Sequence, residues 1–226
     1  MGLTLIATPI GNDQDISLRA LETLKNAEMI ILEEFKESTR FLRAHGITGK
    51  NYEQLNEHSK PEDLARLVNL CENQEIVLIT DCGTPGFCDP GADLVRECRK
   101  KKVPIRTFPG PSSLTALLSL SGVRLDQFVF RGFLPAENEE RAKAWVECQK
   151  ESRAIVLMDT PYRFQKMLSE ANQYFSDRKV LLTLDLTQET EKVFEGTPSM
   201  VLKNELPNKA EFMLLIYPRK PKHESK

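Results

Sequence analysis

The chain has 226 residues, 40% of them hydrophobic and 28% charged, with a formal net charge of −2. That length and balance suit one large or two compact globular domains. The near-neutral charge excludes a global basic field that would pull the whole chain onto nucleic acid or anionic lipid, so any RNA contact has to be local.

No apolar run approaches the roughly eighteen residues needed to cross a bilayer, and residues 1–6 lack the basic start and cleavage site of a secretory signal. A cytoplasmic protein without membrane contact is expected. The five cysteines are an odd number, contain no C-x-x-C pair and accompany only three histidines, so neither a disulfide framework nor a structural metal is expected.

In chain order, residues 3–7 read as a strand, broken by Thr8-Pro-Ile-Gly-Asn12 before a helix over 16–25 that Ser17 or Asp15 would cap. Residues 29–32 read as a second strand ending in Glu33-Glu34, which makes a βαβ opening. A helix is predicted over 38–44. Gly46-Ile-Thr-Gly-Lys50 fails as a phosphate loop, because Asn51 follows the lysine and no strand is predicted before it. Asn56-Glu-His-Ser59 precedes an amphipathic helix over 61–73, and His58 by position alone reads as solvated or capping.

The densest stretch follows. The β-branched run 76–79 leads into Thr80-Asp-Cys-Gly-Thr-Pro-Gly-Phe-Cys-Asp-Pro-Gly91, with three glycines and two prolines. Glycine lets backbone approach a ligand, proline fixes φ, and Asp81 and Asp89 bring charge to the carboxyl end of a strand. Asp89 reads as the cap of a helix starting near Pro90, but the loop carries more than a cap requires and reads as a binding loop. Cys82 and Cys88 flank it, and buried, inert thiols are the commoner case.

A strand over 103–108 ends in Pro109-Gly-Pro-Ser-Ser113, whose hydroxyls open an apolar helix over 114–120. Three strand ends thus finish in Gly/Pro-rich loops, at Pro9, Asp81 and Pro109, which points to one shared ligand cleft. Residues 121–126 read as a linker between domains at 1–120 and 127–218, with a polar, disordered tail over 219–226. The second half is predicted as strands at 127–131, 154–158, 179–184, 192–196 and 210–217 with helices at 137–150, 164–174 and 198–203. The fold class is two α/β domains, the first sheet mostly parallel and the second mixed.

Ala7-Thr-Pro-Ile-Gly-Asn12, Asp81-Cys-Gly-Thr-Pro-Gly86, Asp89-Pro-Gly91, Pro109-Gly-Pro-Ser-Ser113, Gly132-Phe-Leu-Pro135 and Thr160-Pro-Tyr-Arg163 together resemble the tetrapyrrole methylase superfamily of S-adenosylmethionine-dependent methyltransferases. Within it, the chain is most similar to the branch that methylates a ribose 2′-hydroxyl of small-subunit ribosomal RNA. The resemblance implies a homodimer of two-domain chains with the cofactor in a cleft between the domains. It implies cofactor contacts from Pro9, Gly11, Asn12, Asp81, Gly83, Thr84, Pro85, Ser112 and Ser113, and from Phe133, Met158 and Leu186.

The departures fall on polar positions. The branch usually reads Glu-Asp-Thr-Arg where this chain has Glu33-Glu-Phe-Lys36, and Glu-Ser-Pro-His-Arg where it has Asp159-Thr-Pro-Tyr-Arg163. Its Arg-Glu-Leu-Thr is here Leu184-Asp-Leu-Thr187, and Thr190 stands in for a histidine. Glu34, His58 and Arg163, with Glu33, Lys36 and Glu57 beside them, are the candidates for handling the methyl acceptor. Lys36, Arg40 and Arg43, with Arg141 and Arg163, could form a modest phosphate-binding edge. Two alternatives stand beside RNA methylation: a same-fold methyltransferase acting on a small molecule or another macromolecule, and a cofactor-binding module without turnover. Asp159-Thr-Pro-Tyr162 also looks like the motif of amino-group methyltransferases, but their glycine-rich first turn is missing.

Overall fold

The computed structural model describes residues 1–219; the tail expected over 219–226 lies, beyond Arg219, outside the described residues. Two α/β units are present, Met1–Ser112 and Ser113–Lys226.

The first unit is built on five strands: β1 (Gly2–Ile6), β2 (Met29–Leu32), β3 (Asn51–Gln54), β4 (Glu75–Leu78) and β5 (Ile105–Phe108), in the order β3-β2-β4-β1-β5 with every pair parallel. Parallel strands need crossovers, and helices supply them on both faces. These are α1 (Leu18–Asn26), α2 (Phe35–Ala44), α3 (Pro61–Asn73) and α4 (Ala92–Lys100). Strand alternation sorts the core. Ile31, Ile76 and Leu78 pack with Leu67, Cys71, Leu94 and Cys98 of α3 and α4, whereas Ile30, Leu32, Val77 and Ile79 pack with Ala20, Leu24, Phe41 and Leu42 of α1 and α2.

Ser17 caps α1, its Oγ accepting from Ala20 N at 3.2 Å. β3 is absent from the sequence reading because Asn51-Tyr-Glu-Gln54 has no apolar alternation; it is an edge strand held by pairing with β2 alone. α2 begins at Phe35, one turn earlier than expected. The N-cap of α4 is Gly91, at φ +126°, so Asp89 is not the cap. A Cβ at Gly91 would meet Leu78 Cδ2 at 2.9 Å, and only glycine combines that φ with that approach.

The second unit opens with α5 (Ser113–Leu120) and carries β6 (Phe128–Gly132), β7 (Ala154–Met158), β8 (Val180–Leu184), β9 (Lys192–Gly196) and β10 (Phe212–Ile216), ordered β6-β7-β10-β8-β9. Only β6 and β7 are parallel; the other pairs are antiparallel. The sheet is mixed, as expected. The boundary lies earlier than the 121–126 linker, because α5 packs on β10 and Tyr217 Oη donates to Ser121 O at 2.7 Å, tying residues on both sides of that linker into one unit.

α6 (Asn138–Lys150) and α7 (Phe164–Tyr174) cover one face of this sheet, burying Trp145, Phe164, Met167 and Leu168 against Ile155, Leu157, Leu182 and Leu214; α8 (Pro198–Val201) is a single turn. Within this core lies an ion network. Arg141, 1% exposed, donates from Nη1 to Asp159 Oδ2 at 2.9 Å and from Nε to Glu170 Oε2 at 2.7 Å, and the same Glu170 oxygen accepts from Trp145 Nε1 at 2.9 Å. The sequence reading placed Arg141 on a phosphate-binding edge. Its head group is instead consumed in the interior, because residues 141, 144, 145 and 148 form the buried stripe of α6.

Removing one member of a buried ion network strands the others without compensation. Arg141→Met is therefore expected to cost about 3–5 kcal/mol, read from urea unfolding followed by the fluorescence of Trp145, the only tryptophan. Stability within 1 kcal/mol or so of the parent would show that water replaces the guanidinium.

Candidate active site

In the first sheet the chain steps outward from β1 to β2 and β3, returns to β4, then crosses to β5, so the connections after β1 and β4 leave in opposite directions. Open α/β sheets leave a crevice beyond the carboxyl ends at such a point. Two loops meet there. Thr8 N donates to Gly83 O at 2.8 Å, Gly83 N donates to Thr8 O at 3.0 Å, and the buried Thr8 Oγ1 donates to Thr80 O at 3.0 Å. Gly83, at φ +79°, allows this reciprocal pairing, which sets Pro9, Gly11 and Asn12 beside the turn of Asp81, Thr84 and Pro85.

Asp81 is bonded on both sides. Its Oδ1 accepts from Ser38 Oγ at 2.8 Å and Glu34 N at 3.3 Å, and its own N donates to Glu33 Oε2 at 3.2 Å. The ends of β2 and β4 and the first turn of α2 are thereby joined. Gln54 Nε2 donates to Glu33 O at 3.0 Å, adding the end of β3.

Beside this junction opens a cavity of ≈ 820 Å³, lined by Glu33, Glu34, Asn56, Glu57, His58, Asp89 and Arg96 among others. Of the residues expected to handle the acceptor, Glu33, Glu34, Glu57 and His58 meet here. Glu34 accepts from Asn56 Nδ2 at 3.3 Å. His58 is mostly solvated, its side chain 83% exposed with Nε2 3.6 Å from Glu57 Oε1. Arg163 is in the second unit, where its Nη1 lies 3.4 Å from Asp159 Oδ1. Lys36, Arg40 and Arg43 are exposed along α2.

Asp89 carries the signal that the sequence reading assigned to helix capping. Burial pushes its carboxyl up to about 7, and the charges of Glu33 and Asp81 add to the shift. Glu33 and Asp81 are themselves raised, first by burial, although the backbone N–H of Asp81 holds Glu33 down in part and Ser38 and the Glu34 N–H do the same for Asp81. Among the described residues none of the three carboxylates has a Lys or Arg partner within 4.0 Å, and no group of three metal-ligating side chains is found. Cys82 and Cys88 are exposed rather than buried, because the tip of the loop projects outward; Cys88 takes φ +64°.

Ser112 ends the first unit and Ser113 opens α5 in the second. Phe133, 43% exposed, follows β6; Met158 ends β7; Leu186, buried, sits between Asp185 at φ +47° and Thr187 at φ +67° after β8. All three occupy ends of strands in the second sheet.

The Asp89 shift has a stability consequence of definite sign. A carboxyl raised in the folded state adds no penalty below the ordinary carboxylate pKa near 4, and stability falls as pH rises from there through about 7. Asp89→Asn removes that loss. Allowing for solvent screening, its Tm is expected to gain a few degrees on the parent between pH 5 and pH 8. A pH-independent difference in calorimetric scans would contradict the assignment.

The family model of Tetrapyrrole (Corrin/Porphyrin) Methylases matches residues 2–200. Ribosomal RNA small subunit methyltransferase I of Neisseria meningitidis serogroup B is 32% identical over 228 residues, covering 98% of this chain and 78% of that protein. The protein of the same name from Coprothermobacter proteolyticus is 35% identical, covering 95% and 96%. Among solved structures, diphthine synthase superposes with a TM-score of 0.73 at 17% identity, over 95% of this chain and 89% of that one. Uroporphyrin-III C-methyl transferase from Thermus thermophilus, complexed with S-adenyl homocysteine, gives 0.63 at 16%, over 95% and 97%. At those identities the structural likeness speaks for the fold. The match along most of the chain and the relatives above 30% identity decide the matter: the chain belongs to the tetrapyrrole (corrin/porphyrin) methylases and is an S-adenosylmethionine-dependent methyltransferase.

Proposed function

We propose that this methyltransferase modifies a ribose 2′-hydroxyl of small-subunit ribosomal RNA in the cytoplasm, working as a homodimer. The names of the relatives supply the RNA class. The observation that carries the chemistry is Asp89, a half-buried carboxyl on the wall of a cavity large enough for a nucleoside, poised near neutral pH.

Family membership implies the cofactor, and the chemistry of the site suits it. Carboxylates that lack Lys or Arg partners among the described residues favour a cationic ligand, and a Gly/Pro loop exposes backbone for polar contacts. Pro9, Gly11, Asn12, Asp81, Gly83, Thr84, Pro85 and Ser112 would hold it in the first unit; Ser113, Phe133, Met158 and Leu186, the further contacts that the family resemblance implies, belong to the second. S-adenosylmethionine, when bound, supplies a methyl group on a positively charged sulfur.

The residues of the chain then have two tasks. One is positioning, for which the bonds among Asp81, Ser38, Glu33 and Glu34 give a preorganised wall. The other is proton removal, since a hydroxyl acceptor must lose its proton as its oxygen takes up the methyl group. A base works best when its pKa lies near the working pH. Asp89, ionised above about 7, meets that condition. Glu34 and His58 line the same cavity from exposed positions and bind the acceptor at its rim, and Arg163 belongs to the second unit's surface. On α2, Lys36, Arg40 and Arg43 at spacings of four and three share one exposed stripe suited to phosphates.

Three measurements test this reading. Calorimetric titration with S-adenosylhomocysteine should give one-to-one binding, weakened about tenfold in Asp81→Asn through the loss of one charge-assisted contact worth about 1.4 kcal/mol; absence of binding would remove the cofactor site. Nuclease digestion of small-subunit ribosomal RNA incubated with the enzyme and labelled cofactor should yield a 2′-O-methylated nucleoside, and a base-methylated product would overturn the acceptor assignment. Under single turnover, the rate should rise with pH through about 7 and level off. In Asp89→Asn it should drop by about 10²–10⁴ and lose that inflection; an unchanged profile would take Asp89 out of the reaction.

A further inference from the structure

The second unit carries an exposed aromatic group flanked by cations. Tyr162 is 80% exposed, and Lys209 Nζ sits 3.9 Å from its ring centroid. Arg163, the next residue, has a side chain 37% exposed. Exposed tyrosines of a folded domain are ordinary singly. An aromatic face beside two cationic heads, on a turn fixed from below, is a different arrangement.

The fixing comes from the buried network. Asp159 is fully buried as a side chain, and its Oδ2 is taken by Arg141. Its Oδ1 accepts from Thr160 N at 2.9 Å and lies 3.4 Å from Arg163 Nη1. Pro161 then begins the 3₁₀ turn Pro161–Arg163. Arg141 Nη1 also reaches Pro135 O at 3.3 Å, so the same guanidinium holds the neighbouring loop. On the other side, Gln165 Nε2 donates to Pro207 O at 2.6 Å, tying the first turn of α7 to the segment that presents Lys209.

The charges are available. Arg141 already satisfies one oxygen of Asp159 at 2.9 Å, so Arg163, at 3.4 Å, is the outer and more distant partner of a carboxylate that has another. Among the described residues no carboxylate lies within 4.0 Å of Lys209 Nζ, although its charge is felt by the half-buried Glu211. One face of the Tyr162 ring is covered by Lys209, and the exposure leaves the other open.

We infer that Tyr162, Arg163 and Lys209 form a contact surface for single-stranded RNA, Tyr162 stacking a base and the two cations meeting the flanking phosphates. An aromatic platform beside positive charge is the chemistry by which unpaired nucleic acid is bound without sequence readout. The inference rests on the RNA reading above and extends it to a surface outside the carboxylate cavity. Arg141 is a positioning residue for this surface, acting through Asp159.

The test is fluorescence anisotropy of a short fluorescein-labelled single-stranded RNA titrated with the full chain across a salt series. Tyr162→Ala should weaken binding about tenfold, within the range set by loss of one stacked base, while Tyr162→Phe keeps it. Arg163→Gln and Lys209→Gln should each flatten the slope of log K against log salt by about 0.7, the value for one phosphate contact on a single strand. S-adenosylhomocysteine affinity by calorimetry should stay at the parent value in all four, which shows that the variants are folded. If the parent chain binds RNA and Tyr162→Ala and Arg163→Gln bind it with the same affinity and slope, this surface is overturned and the RNA reading stands. If the parent binds S-adenosylhomocysteine but no RNA, the RNA reading falls and the surface falls with it.

Discussion

A parallel sheet covered by helices on both faces has no place along its strands for polar chemistry. Ile30, Ile31, Leu32, Ile76, Leu78 and Ile79 are all fully buried, and the alternation that would put polar residues on one face of an open sheet is lost. Along these central strands, groups that could bind or react are thereby driven to the strand ends. At the carboxyl end the backbone leaves the ladder, and Thr8 and Gly83 pair across the gap between β1 and β4. Glu33, Asp81 and Asp89 follow from that: each comes after a strand or its loop, half-shielded by the layers that force it there.

The electrostatics of the site come from the same geometry. Carboxylates brought together in a partly desolvated crevice raise one another and are raised by burial. Hydrogen bonds decide which of them yields. Asp81 is held toward its ionised form by Ser38 and by the Glu34 N–H, and Glu33 by the Asp81 N–H, whereas Asp89 has only opposing influences and moves furthest. The carboxyl with no hydrogen bond holding it in its ionised form is thus the one carried to about 7.

The second unit solves a different problem. Its mixed sheet buries a charged cluster, Arg141 with Asp159 and Glu170, in an otherwise apolar layer with Trp145 and Met167. Such clusters add little net stability compared with apolar replacement, but they fix orientation because each bond has one geometry. Here the fixed objects are the loop after β6 and the turn after β7.

Much of this was legible in the residues. The strands at 29–32, 154–158 and 192–196 and the helices at 61–73 and 164–174 follow from apolar spacing and from Gly/Pro punctuation, which are local properties of a chain. The cofactor-type loops were legible because their glycines and prolines are needed wherever the loop is placed. β3 was not, since an edge strand is made by its neighbour's hydrogen bonds rather than by its own pattern. Arg141 looked like a surface cation for a related reason: charge predicts exposure on average, and only the position of Asp159 and Glu170 on other elements makes burial tolerable. Asp89 looked like a cap because it precedes a helix, and only the folded loop shows Gly91 in that role with Asp89 turned to the cavity with Glu33. The sequence by itself determined most of the elements, the two-part α/β class and the loops that mark the family, because those rest on local propensity and periodicity. The tertiary structure alone decided which charges are buried, which carboxyl titrates near neutrality and where the domains divide, because each of those depends on partners distant in the chain.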